Sequence, residues 1–249
     1  MKRRFICIIR KEGMRMKRRR RSLLIISGNS PKSMQDAPVF DPDVIIFDLA
    51  ERVIAQEKDS ARNLVKEALK FLDYSKVEVM VRINPLDTDV GQKDLNLIAR
   101  VKPGALIIPK ANPESLKHVD HILSAIENEK GFTQGAIELV LDLDTAYGIE
   151  NLNILLKDSP RVTGVWLNAE GLMNEFGTKR SKDGDELLYV RGRVGIACRA
   201  VGIDAIDTSF NDGNDIEGLE KDALTAKGMG FTGKIALDGR QVEPLNAIF

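Results

Sequence analysis

The sequence predicts an α/β fold, most simply a single TIM-type (β/α)8 barrel, on three observations. Its 249 residues match the roughly 250 that one such barrel takes. Eight apolar runs, rich in Ile, Val and Leu, recur along the chain, as parallel strands covered on both faces require. Longer stretches with helical spacing lie between them, and right-handed strand-to-helix crossovers of that kind close most simply into a barrel. No Gly-x-Gly-x-x-Gly follows the first run, which argues against an open dinucleotide-binding sheet.

The first run, 23–27, gives way to Gly28, Asn29 and Ser30, and the second, 44–49, contains Asp48 and is followed by Glu51. Over 57–72, Ala61, Leu64, Val65, Ala68, Leu69 and Leu72 recur at intervals of three and four, which gives a helix with one buried face. The third run, 78–83, carries Arg82 and is followed by Asn84; the fourth, 105–109, is followed by Lys110. A second amphipathic stretch, 113–127, opens on proline, a residue suited to a first helical turn. The fifth run, 138–143, carries Asp142 with Asp144 beyond it, and the sixth, 164–168, ends in Asn168 ahead of Glu170. The seventh, 204–208, includes Asp207, and the eighth, 233–237, leads into Asp238 and Arg240. Barrel enzymes place their chemistry at the C-terminal strand ends, so this polar rim is the expected functional face. At the opposite ends Asp43, Lys76 and Pro103 read as ordinary loop residues.

Composition excludes several classes. A 43% hydrophobic content supports a core and argues against disorder. No apolar run approaches the roughly 18 to 20 residues that cross a bilayer, so no membrane span is expected. Two cysteines, Cys7 and Cys198, cannot build a disulfide framework, and with no export signal the expected location is cytoplasmic. Residues 1–21 hold eleven Lys or Arg against one Glu, although the whole chain is neutral. The expected division is a basic, disordered tail over 1–20 and one barrel domain over 21–249. An acidic body repels polyanions, so nucleic acid is not an expected partner.

Arg82 ends an apolar strand, where a guanidinium needs an anion in its fork: either a substrate carboxylate or a neighbouring acid in a buried ion pair. Strand periodicity puts Glu138, Val140, Asp142 and Asp144 on one face and Leu139, Leu141 and Leu143 on the other; with the leucines toward the helices, both aspartates point into the mouth. Carboxylates opposite an arginine suit one magnesium ion, which takes oxygen ligands and keeps several waters. Asp144 alternatively caps the helix that follows. His118 and His121 read as a solvated helix face, and Trp166, Leu172 and Met173 as core.

The motifs Gly28-Asn29-Ser30-Pro31-Lys32, Phe47-Asp48-Leu49, Val81-Arg82-Ile83-Asn84-Pro85, Pro109-Lys110, Asp144-Thr145-Ala146-Tyr147-Gly148, Ala169-Glu170, Ala205-Ile206-Asp207-Thr208 and Gly239-Arg240-Gln241-Val242-Glu243-Pro244 occur in a telling order. With them, residues 20–249 resemble the citrate lyase β-subunit family, which is grouped with malyl-CoA lyases and metal-dependent aldolases. The resemblance implies a TIM barrel that cleaves a citryl- or malyl-type thioester on coenzyme A or an acyl carrier protein by magnesium-assisted retro-aldol chemistry. It also implies citrate lyase-type partner subunits and a homo-oligomer. Carried over by motif, Arg82 clamps a substrate carboxylate, with Asp48 and Glu51 beside it as catalytic acids. Gly28, Asn29, Ser30, Lys32 and Lys110 line the thioester approach, and Asp144 takes the first metal position.

Departures from the family pattern are local. Asp-Leu-Glu-Asp is Asp48-Leu49-Ala50-Glu51 here, the metal-binding Glu is Asp144, and the Asp expected after Ala-Glu is Gly171. Asp142 stands where an apolar residue is usual, so Asp142, Asp144 and Glu170 are expected to form a displaced magnesium cluster. The alternative is a catalytically impaired member that binds a thioester or partner subunits without turnover.

Overall fold

The computed structural model describes residues 19–157, 159–181 and 183–249. Eight parallel strands close on themselves in chain order: β1 Ser22–Ser27, β2 Val44–Asp48, β3 Glu78–Arg82, β4 Ala105–Pro109, β5 Glu138–Leu143, β6 Val162–Leu167, β7 Asp204–Asp207 and β8 Gly233–Ala236. β1 pairs with both β2 and β8, which closes the barrel and confirms the expected fold. Helices α1 Pro31–Asp36, α2 Lys58–Phe71, α3 Asp89–Ala99, α4 Pro113–Lys130, α5 Ala146–Glu150, α6 Leu152–Lys157, α7 Ala169–Phe176, α8 Leu188–Val201, α9 Ile216–Gly228 and α10 Val242–Ile248 form the outer layer. None of the helices in the described residues is long and apolar enough to cross a membrane.

Two apolar layers result from the period-two alternation of strand side chains. Leu23, Ile46, Met80, Val140, Trp166 and Ile235 are among those that fill the interior. Leu139, Leu141, Leu143 and their counterparts pack against the helices in the larger outer cluster. The helix starts are fixed by side-chain caps: Asn112 accepts from the Ser115 backbone N–H ahead of α4, and Asn168 accepts from that of Gly171 ahead of α7.

The floor of the barrel corrects two expectations. Its N-terminal rim is not made only of ordinary loop residues, because Glu78, Glu138 and Asp204 open β3, β5 and β7 there. Nor does Arg20 belong to a tail: it is 5% exposed and reaches across the floor to all three acids, at 2.8, 2.7 and 3.4 Å. Burial would lower the Arg20 pKa, but these carboxylates outweigh it and raise the pKa. Next to it Arg21 pairs with Asp43 at 2.8 Å. The rest of the basic segment, residues 1–18, lies outside the described residues, as does Cys7.

Candidate active site

Arg82 occupies the centre of the mouth, 2% exposed, at the C-terminal end of β3. Its Nε donates to Asp142 Oδ2 at 2.8 Å, and its Nη1 donates to Asp48 Oδ2 at 3.3 Å. Nη1 and Nη2 each donate to one oxygen of Glu51, both at 2.9 Å, a bidentate grip. The guanidinium carbon also lies 5.0 Å from the centre of the Trp166 ring. Of the two outcomes expected for Arg82, the neighbouring-acid one is observed: Asp48 and Asp142 make the buried ion pair, and the exposed Glu51 fills the rest of the fork.

The short segment carrying Glu51 is held from beneath. Asp48 Oδ1 accepts the Ala50 backbone N–H at 2.6 Å, and Asn84 Nδ2 donates to the Leu49 carbonyl at 2.8 Å. Lys58, at the start of α2, donates its Nζ to the Leu49 carbonyl at 2.8 Å and to that of Ala50. Burial lowers the Lys58 pKa. Burial pushes the Glu51 carboxyl up, but the hydrogen bond to Arg82 together with the charges of Arg82, Arg52 and Lys110 outweighs it and holds the carboxyl below the usual range.

Asp142 and Asp144 project from the mouth side of β5 as periodicity requires, and both are buried. Desolvation is the main reason both carboxyls are pushed up, and Arg82 opposes it in each. Asp144 further raises Asp142 by repulsion. Asp142 Oδ1 is buried with no hydrogen-bond partner among the described residues. The third expected ligand does not join them. Glu170 is exposed on α7, where it accepts from Asn211 Nδ2 at 2.7 Å and faces Arg180 at 3.6 Å. Among the described residues no group of three His, Cys, Asp or Glu is placed to hold a metal ion, so the displaced three-carboxylate cluster is not formed. His118 and His121 lie exposed on α4.

The thioester loop is mostly occupied with its own structure. A Cβ on Gly28 would lie 2.7 Å from Leu49 Cδ2 and 2.9 Å from the Asp48 carbonyl, so only glycine fits. Asn29 bonds Ser27 at 2.6 Å and also Glu57, and Ser30 caps α1, while Lys32 is exposed. Lys110 is exposed in a left-handed conformation, φ 49°, and its backbone N–H donates to Asp144 Oδ1 at 3.3 Å.

Three polar residues of the predicted rim leave the mouth. Asp207 sits on the outer face of β7, where it and Asp222 of α9 neutralise Arg191 of α8 and Lys234 of β8. Asn84 is committed to Asp94 of α3 and to the Leu49 carbonyl, and Asp238 pairs with the exposed Arg240. Trp166, read from sequence as core, is buried in the interior layer and also lines the mouth. A cavity of about 130 Å³ opens there between Asp48, Glu51, Arg82, Trp166, Asn168 and Thr208, among others. The signal for Trp166 was available, since it shares its strand face with Asn168; for Lys58, in the first turn of an ordinary amphipathic helix, no signal existed.

A closed parallel barrel with one buried arginine set among carboxylates at its C-terminal mouth is the framework of an enzyme that binds an organic acid. The chain belongs to the HpcH/HpaI aldolase/citrate lyase family, whose profile matches residues 21–239. It is 36% identical over 231 residues to the citrate lyase subunit β of Haemophilus influenzae, an overlap of 92% of this chain and 79% of that one. It is 31% identical over 229 residues to a (3S)-malyl-CoA thioesterase of Cereibacter sphaeroides, covering 92% and 76%. In three dimensions it matches the Mycobacterium tuberculosis citrate lyase β subunit complexed with oxaloacetate and magnesium, with a TM-score of 0.74 at 24% identity over 91% of this chain and 95% of that one. Membership makes the protein a carbon–carbon lyase.

Proposed function

We propose that the protein cleaves a citryl- or malyl-type thioester, carried on coenzyme A or an acyl carrier protein, into an acyl thioester and a 2-oxo acid. The observation that carries this reading is Arg82, buried at the mouth with a carboxylate already seated in its fork. Relatives named citrate lyase subunit β and (3S)-malyl-CoA thioesterase support the substrate class. The subunit name is consistent with citrate lyase-type partner subunits; a homo-oligomer and a cytoplasmic setting belong to the same proposal.

Asp142 and Asp144 fit magnesium: Asp142 Oδ1 is a buried acceptor lacking a donor, and the ion needs only one or two carboxylates beside waters and substrate oxygens. Bound there, magnesium supplies positive charge against a developing enolate. The chain's own residues carry the remaining steps. Arg82 exchanges Glu51 for a substrate carboxylate. Released from the guanidinium, Glu51 becomes the stronger base and takes the proton of the 3-hydroxyl. The carbon–carbon bond breaks, its electron pair passes into the thioester enolate, and the hydroxyl-bearing carbon becomes the carbonyl of the 2-oxo acid. The proton on Glu51 then returns to the enolate carbon. Throughout, Asp48 and Asp142 hold Arg82 in place.

Gly171 favours a second reading, a member that binds thioesters or partner subunits without turnover. A Cβ at this position would lie 2.7 Å from Asp144 Cβ, so the acid of the family pattern has no room there beside Asp144. The deciding experiment follows oxaloacetate or glyoxylate release from citryl-CoA and malyl-CoA by a coupled assay, with magnesium and with chelator. Product that disappears with chelator supports the lyase; silence on both substrates selects the second reading.

A further inference from the structure

Two neutral donors stand unused at the mouth. Trp166 Nε1 and Asn168 Nδ2 are both buried without a hydrogen-bond partner among the described residues, although their side chains are only 6% and 4% exposed by residue. An indole N–H can only donate, and the Asn168 amide oxygen is already engaged by the Gly171 backbone, which leaves its NH2 group. Both residues lie on the inward face at the end of β6 and line the 130 Å³ cavity beside Arg82. A buried donor left unmet is costly, so two covered donors on residues that border one cavity mark a place where a small side-chain turn toward the cavity lets an acceptor satisfy them. Neither donor follows from the motifs that identify the family.

We propose that Trp166 and Asn168 are substrate-contacting specificity residues, whose N–H groups bind oxygens of the 2-oxo acid half while Arg82 holds its carboxylate. The inference rests on the lyase reading for the identity of the ligand. The cavity is close to the roughly 150 Å³ that accommodates benzene, the scale of a compact acid of about six heavy atoms. Neutral donors suit this role better than further cations, because they recognise a carbonyl oxygen without adding charge. An acid lacking that oxygen leaves them unpaired and binds more weakly.

Trp166 is the chain's single tryptophan, so its emission reports the site directly. Pyruvate is compared with propionate, and oxaloacetate with succinate, by fluorescence and isothermal titration in the presence of magnesium. In the native protein each 2-oxo acid should perturb Trp166 emission and bind about tenfold more tightly than its deoxo partner. Trp166→Phe keeps the ring beneath Arg82, and Asn168→Ser keeps a capping oxygen for α7. Each should weaken the 2-oxo acids about five- to tenfold, the equivalent of one neutral hydrogen bond, and leave the deoxo acids within twofold. Circular dichroism melts of both variants establish that they fold. The inference is overturned if bound pyruvate leaves Trp166 emission unchanged, if no 2-oxo acid binds, or if both classes of acid weaken equally in the variants. An active lyase whose 2-oxo acid affinity ignores both substitutions sinks this inference alone. Selective 2-oxo acid binding without carbon–carbon cleavage upholds it and sinks the lyase reading.

Discussion

Replacing Arg82 with methionine tests the electrostatic core of the site. The guanidinium compensates Asp142 and Asp48, whose side chains are 0% and 1% exposed, while its third partner, Glu51, reaches solvent. Removing one member of a buried pair typically costs about 3 to 5 kcal/mol, because the partner left behind either stays charged in a low-dielectric setting or must take up a proton. For a domain of this size each kcal/mol shifts the melting temperature by about 2 to 4 °C, so Arg82→Met should lower it by about 10 °C. The loss should also be repairable. Asp142→Asn in the Arg82→Met background removes the stranded charge and should recover about 1 to 3 kcal/mol, whereas Asp142→Asn alone destabilises. Urea unfolding followed by circular dichroism measures all four members of the cycle at pH 7. If the two substitutions simply add to within about 0.5 kcal/mol, the pair is not coupled and Arg82 does not compensate Asp142.

Glu51→Gln should change stability by less than about 1 kcal/mol, since its carboxylate is more than half exposed, yet tighten carboxylate binding by vacating the Arg82 fork. The same variant should lose most lyase turnover; unchanged turnover removes Glu51 as the base. The buried Glu127 accepts from Arg161 and from the Gly135 and Ile137 backbones. Burial pushes its carboxyl up, but these bonds outweigh it and hold the pKa below the usual carboxylate range. A depressed pKa contributes stability above the unfolded-state value of about 4.3 that is lost as pH falls through the folded value, so Arg161→Met should flatten the acid limb of a stability–pH curve. Cys198 is buried and its thiol is pushed up to about 12. In a Cys7→Ser background, iodoacetamide at pH 8 should therefore label unfolded but not native protein, and rapid native labelling contradicts the burial.

The strands were legible because each is covered on both faces and so reads as an unbroken apolar run. Side-chain direction was legible only where periodicity was applied. It placed Asp142 and Asp144 correctly and put Glu138 on the same face, and the same rule applied to β3 aligns Glu78 with Met80 and Arg82. That floor network was hidden by Arg20, which looks like one more charge in a basic run. Asp207 was misplaced for the converse reason: in a four-residue strand its neighbour Ile206 takes the inward position, which turns the aspartate to the helices. No local pattern announces that Glu51 folds back into the Arg82 fork.

The floor contact has a practical consequence for anyone trimming the basic segment. A truncation that stops after Arg19 keeps the guanidinium that spans β3, β5 and β7; one that takes a single residue more removes it. Loss of solubility in the shorter version would then report a broken barrel base and say nothing about what the first nineteen residues do.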